Sequence, residues 1–166
     1  MNRIDVTLCD PAATARLGHF ISDCLKAGDV VALEGPLGAG KSVLARSIIQ
    51  HACPQENDIP SPTFTLVQTY EPTDGPSLLH FDLYRLDLPE DALELGIEDA
   101  FIDSICLIEW AQRLGPYLPR TALNIFIQPD PEESDTRTIS LSGGDRWQSL
   151  LAEIEAGIQT GMKGVS

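Results

Sequence analysis

Gly35-Pro36-Leu37-Gly38-Ala39-Gly40-Lys41-Ser42 spells G-x-x-x-x-G-K-S, and the rest of the chain is read outward from it. The spelling suits a loop that wraps a chain of phosphates. A triphosphate needs N–H donors converging on its oxygens. Gly35, Gly38 and Gly40 carry no Cβ, so the backbone can turn tightly and come close to an anion. Lys41 adds a point positive charge for the outer phosphates. Ser42 offers a hydroxyl to a magnesium ion and opens a helix, whose N-terminal end favours anions.

The flanks decide between such a loop and a glycine-rich turn that binds nothing. Val30-Val31-Ala32-Leu33 is a short apolar run, as a buried parallel strand requires. Val43 to Ile49 carries apolar residues at helical spacing. Strand, glycine loop and helix thus follow in the order the motif needs. The fold expected is α/β: a P-loop NTPase-like three-layer sandwich with a mainly parallel central sheet. Its 166 residues form one domain, with no internal repeat and no linker to divide it.

Eleven basic against 25 acidic residues give a net charge of −14. A protein that grips RNA by itself needs a broad basic surface, so any tRNA contact is expected to be indirect or weak. Met1 to Asp5 do not open a signal peptide, and no apolar run approaches spanning length, which points to the cytoplasm and away from a membrane. Cys9, Cys24, Cys53 and Cys106 lie far apart without a C-x-x-C pair. They read as small apolar residues of a reduced protein, with metal ligation as the sharper alternative.

Ile4, Val6 and Leu8 alternate as a first strand. Asp10-Pro11 starts a helix whose apolar face is Leu17, Phe20, Ile21, Cys24 and Leu25, with Gly28 as its stop. After the loop and its helix, Phe64 to Tyr70 reads as a strand behind Ser61-Pro62-Thr63. Leu78 to Arg85 follows, with His80, Asp82 and Tyr84 on one face. Three polar groups there mark either a functional face or a solvent-facing edge. Pro89 to Leu95 and Ile97 to Ile102 read as short helical pieces. Ile105-Cys106-Leu107-Ile108-Glu109 is a buried strand delivering one carboxylate at its C-terminal end, the Walker B pattern. A short helix from Ala111 breaks at Gly115-Pro116. Thr121 to Gln128 and Thr136 to Leu141 are strands around an acidic loop, Asp130 to Asp135. Asp145 to Ile158 closes the chain as an amphipathic helix, with a frayed end beyond it.

Together the motifs resemble the TsaE family, the small P-loop ATPases of bacterial threonylcarbamoyladenosine synthesis on tRNA. The matching text is Leu37 to Ser42, Ser61-Pro62-Thr63-Phe64, His80-Phe81-Asp82-Leu83-Tyr84-Arg85-Leu86 and Ile108-Glu109-Trp110. The resemblance implies an ATPase using ATP and Mg2+ that works with two partner proteins of the tRNA threonylcarbamoyl-transferase complex. One of these modifies the adenosine next to the anticodon. It implies that Lys41 and Asp82 are catalytic. Gly35, Pro36, Leu37, Gly38, Ala39, Gly40, Lys41, Ser42 and Val43 would hold the phosphates. Ser42 and Glu109 would ligate magnesium, Ser61 and Thr63 would sense the γ-phosphate, and Thr14 would lie near the adenine. The family usually carries Thr where this chain has Ser42; either hydroxyl can reach magnesium.

The rival enzyme is a small-molecule kinase of the same fold, which would usually close an arginine-bearing lid. Arg113, Arg120 and Arg137 are scattered and form no compact lid segment. A guanine-reading N-K-x-D segment is absent from the sequence. A module that binds ATP without cleaving it is the third reading.

Overall fold

The computed structural model describes residues 2–157. Seven strands form one sheet: β1 (Asn2–Leu8), β2 (Val30–Glu34), β3 (Val67–Tyr70), β4 (Leu78–Asp82), β5 (Ile105–Glu109), β6 (Leu123–Pro129) and β7 (Arg137–Gly143). Their order is β1-β7-β6-β2-β5-β4-β3. The four middle strands, β6, β2, β5 and β4, run parallel, while β1, β7 and β3 join antiparallel at the flanks. The apolar runs of β2 and β5 sit at the centre because they are covered on both faces.

Helices α1 (Pro11–Cys24), α2 (Lys41–Ala52) and α4 (Gln148–Gly157) pack one face through Leu17, Ile21, Leu44, Ile48 and Ile154. The opposite face is covered by the 3-10 turns Pro89–Leu95 and Ala111–Tyr117 and by α3 (Ile97–Asp103), against Phe81, Leu83 and Ile108. That second layer is built over β2, β5 and β4. Across β1, β7 and β6 the same face presents Asp5, Thr7, Phe126, Gln128 and Thr138 to solvent, as expected of antiparallel strands that alternate apolar and polar residues.

Several local boundaries differ from the sequence reading. Asp10 caps α1 as expected, accepting the Ala13 N–H at 2.8 Å. The helix stops at Cys24 rather than at Gly28. Asp29 accepts the Lys26 N–H at 2.7 Å and turns the chain early, leaving Gly28 at φ +90° in the following turn. Phe20 lies partly exposed beside the buried stripe. β3 begins at Val67, not Phe64, because Leu66 takes φ +69° and donates its N–H to Pro62 O. β4 ends at Asp82, whose carboxylate accepts the Tyr84 N–H at 3.0 Å and bends Tyr84 out of the strand. The expected last helix splits into the 3-10 turn Asp145–Trp147 and α4. Its end at Ile158 and the frayed tail lie outside the described residues. Among those residues, no helix is long and apolar enough to cross a membrane.

Candidate functional site

The C-terminal ends of β2, β4 and β5 lie side by side, with Leu33 and Asp82 each opposite Glu109. In an open α/β sheet this is where ligands bind. The loop from β2 to α2 rises over these ends. Gly35, Gly38 and Gly40 take φ of +147°, +76° and +110°, which side chains rarely adopt. A Cβ on Gly35 would also overlap the Ile127 carbonyl oxygen. The glycines are therefore needed by this backbone path.

Lys41 is 4% exposed. Its ammonium donates to Gly35 O at 2.6 Å and Pro36 O at 2.8 Å, and sits 4.3 Å over the Trp110 ring. Burial holds its pKa below the ordinary lysine value, opposed by the negative charges of Glu109 and Asp82. Ser42 Oγ donates to Glu109 Oε1 at 2.9 Å, and His80 Nε2 meets Glu109 Oε2 at 2.6 Å. Thr63 Oγ1 donates to Asp82 Oδ2 at 3.0 Å, and Ser61 Oγ is 2.9 Å from Thr63 Oγ1. The loop 61–63 is thereby latched to the end of β4.

These groups line one cleft of about 270 Å3, bounded by Leu37 to Val43, Ser61, Thr63, Asp82, Glu109 and Trp110. Gly35 and Pro36 serve it from below. Pro36 has no N–H to offer an anion, and its carbonyl anchors Lys41 instead. Thr14 lies in an adjoining hollow with Pro11, Ala39, Gly40, Val43, Asp135 and Arg137. The alternation of β4 put His80 and Asp82 together correctly, and the buried-face reading holds for both, at 0% and 5% exposed. Tyr84 instead packs against Trp110, with ring centroids 4.9 Å apart and the planes tilted by 46°.

Sequence reasoning left two contributors without a role. Trp110 follows Glu109 at φ +59° and covers Lys41; its place beside the strand-end acid was the available signal. Arg137, at the start of β7, donates Nε–H to Ala39 O at 2.7 Å and braces the loop from the far side. Nothing in the linear pattern marks it.

The donor set has a definite chemical fit. Ser42 and Glu109 bring two hard oxygen atoms together, and no group of three His, Cys, Asp or Glu residues that could hold a metal assembles among the described residues. Few protein oxygens suit magnesium, which retains water and takes the remainder from phosphate.

Fold and cleft together define the class, a P-loop NTPase-like α/β protein. Comparison then gives the family. The family described as "Threonylcarbamoyl adenosine biosynthesis protein TsaE" matches residues 8–139. A "tRNA threonylcarbamoyladenosine biosynthesis protein TsaE" of Rickettsia felis is 46% identical over 143 residues, covering 86% of this chain and 82% of that protein. The protein of the same description from Nostoc is 39% identical, with 78% and 80% covered. The crystal structure of Bacillus subtilis YdiB superposes with a TM-score of 0.75 at 28% identity, covering 93% of this chain and 95% of the other. The chain belongs to the TsaE family.

Proposed function

We propose that this cleft binds ATP with Mg2+ and hydrolyses it, as the ATPase component of the tRNA threonylcarbamoyladenosine machinery in the cytoplasm. The observation that carries the reading is the contact of Ser42 Oγ with Glu109 Oε1. It joins the first residue after the loop lysine to the acid ending β5. When bound, magnesium would supply charge neutralisation at the phosphates, held by Ser42 and Glu109. Lys41 would exchange its carbonyl partners for phosphate oxygens, and the glycine loop would present its N–H groups. Thr14 and its hollow adjoin Ala39, Gly40 and Val43, a position suited to the base. Asp82 would orient the attacking water or the loop Ser61–Thr63, which carries the γ-phosphate contact.

Among the described residues lining the cleft, Lys41 is the one cation. Arg137 is occupied with the carbonyls of Ala39, Ser134 and Thr136. A missing arginine contact can be worth ~10³-fold in phosphoryl transfer. The isolated chain would therefore turn over slowly, and two partner proteins of the transferase complex would complete the site. With a net charge of −14, contact with tRNA would be indirect or weak. Nucleotide titrations at several magnesium concentrations, paired with single-turnover hydrolysis, test the assignment. Glu109→Ala should lose magnesium-dependent binding and turnover together. Asp82→Ala should keep affinity within about threefold and lose the hydrolytic step. The reverse pattern would exchange the two roles, and absence of ATP binding by the wild type would end the proposal.

A further inference from the structure

His80 is fully buried in β4, on the sheet face that packs α2. Two of its neighbours on that face are apolar and fully buried, Leu78 two residues before it and Leu107 in register on β5; the other two, Asp82 two residues after it and Gln68 in register on β3, are polar. A leucine would fill the place without leaving a polar atom dry. The imidazole leaves one, for Nδ1 has no hydrogen-bond partner. What the ring gains is the 2.6 Å contact of Nε2 with Glu109 Oε2. A carboxylate only accepts, so Nε2 carries the hydrogen of this contact.

The two donors to Glu109 are unequal. Ser42 Oγ is a hydroxyl rotor in the first turn of α2 and is itself a proposed metal ligand. The torsion at the end of a glutamate is broad, so Ser42 alone would leave the carboxylate free to swing. His80 is fixed by a strand paired on both sides. We propose that His80 is a positioning residue. Its Nε2–H pins one oxygen of Glu109 so that the other faces Ser42 and the cleft. This rests on the reading of Glu109 as a magnesium-side acid.

The test uses the full chain with His80→Leu, His80→Asn and His80→Gln. Glutamine can place a donor near the Nε2 position; asparagine reaches only to Nδ1. A fluorescent ATP analogue is titrated across magnesium concentrations and again in EDTA, with thermal unfolding measured in parallel. Losing a hydrogen bond behind a metal ligand typically weakens metal affinity about 10- to 100-fold. His80→Leu and His80→Asn should raise the half-saturating magnesium concentration by that factor. His80→Gln should stay within about threefold of wild type. Binding in EDTA should be unchanged in all three. The inference is overturned if the three variants keep the wild-type magnesium midpoint. It is overturned too if glutamine fails as fully as leucine, or if the loss appears equally in EDTA, because His80 is then filler or fold support. A wild type with no magnesium dependence would overturn the reading of the cleft itself, a distinguishable result.

Discussion

Thr63→Val tests the latch between the loop 61–66 and the sheet. The substitution keeps the branched shape and removes one atom's chemistry. Thr63 Oγ1 donates to Asp82 Oδ2 at 3.0 Å and meets Ser61 Oγ at 2.9 Å; both contacts vanish. Asp82 keeps the Tyr84 N–H at 3.0 Å, so the acid stays anchored while the loop is released. A hydrogen bond to a charged group contributes about 1.5–3 kcal/mol. If it is lost only when the loop opens, the opening equilibrium rises about 10- to 100-fold. The reporter is the Leu66 amide, which bonds Pro62 O across the turn. Amide exchange should accelerate there by that factor while Ile108, at the sheet centre, stays unchanged. Unchanged Leu66 protection would refute the latch. Equal acceleration at Ile108 would mean that the whole fold was weakened instead.

Lys41→Ala should remove at least about 3 kcal/mol of transition-state stabilisation with the fold retained. Trp110 emission should also change as its cation leaves. Phosphate release at the wild-type rate would refute this. A Cβ on Gly18 would stand 2.6 Å from Ser47 Cβ where α1 crosses α2. Gly18→Ala should thus cost about 1–3 kcal/mol, or a Tm fall of roughly 2–4 °C per kcal/mol. Adding Ser47→Gly should recover part of the loss, and strictly additive effects would disprove the close contact. Burial pushes the Cys106 thiol up to about 12. Alkylation near neutral pH should therefore mark exposed Cys9 first and Cys106 only on unfolding. The sign of the linkage follows: a pKa raised in the folded chain contributes stability below the ordinary thiol value of ~8.5, lost as pH climbs towards 12. A Cys106 label acquired as fast as that of Cys9 would contradict the burial.

What the sequence disclosed well was whatever a single element determines. Gly35 to Ser42 specifies its own backbone path, and the apolar run ending at Glu109 fixes both the strand and the end at which its acid emerges. Asp10-Pro11 set the start of α1. Side-chain interactions shifted other boundaries. Gly28 is a legible helix stop, but Asp29, which accepts from the Lys26 N–H and from the Arg146 guanidinium, turned the chain first. Phe64 has strand propensity, yet the turn held by Leu66 and Asp82 left it 80% exposed. That Lys41, Ser42, Asp82 and Glu109 would meet in one cleft was legible because each sits in a recognisable local motif. The partnership of His80 with Glu109 spans 29 residues and depends on the register of β4 against β5, which no local pattern encodes. Arg137 acts on Ala39 from 98 residues away and is silent for the same reason.

The bond between Ser42 and Glu109 closes a loop of 67 residues. Joining such distant parts of a chain is slow, since the entropy of closure is spent before the contact returns anything. The cleft is consequently absent from any fragment that stops before β5. A molecule that grips the glycine loop, Asp82 and Glu109 together recognises only the finished sheet. At a hundred times its Kd, such a ligand would add about 2.7 kcal/mol to the global stability. Its occupancy can therefore be read as a rise in melting temperature, with no assay of turnover at all.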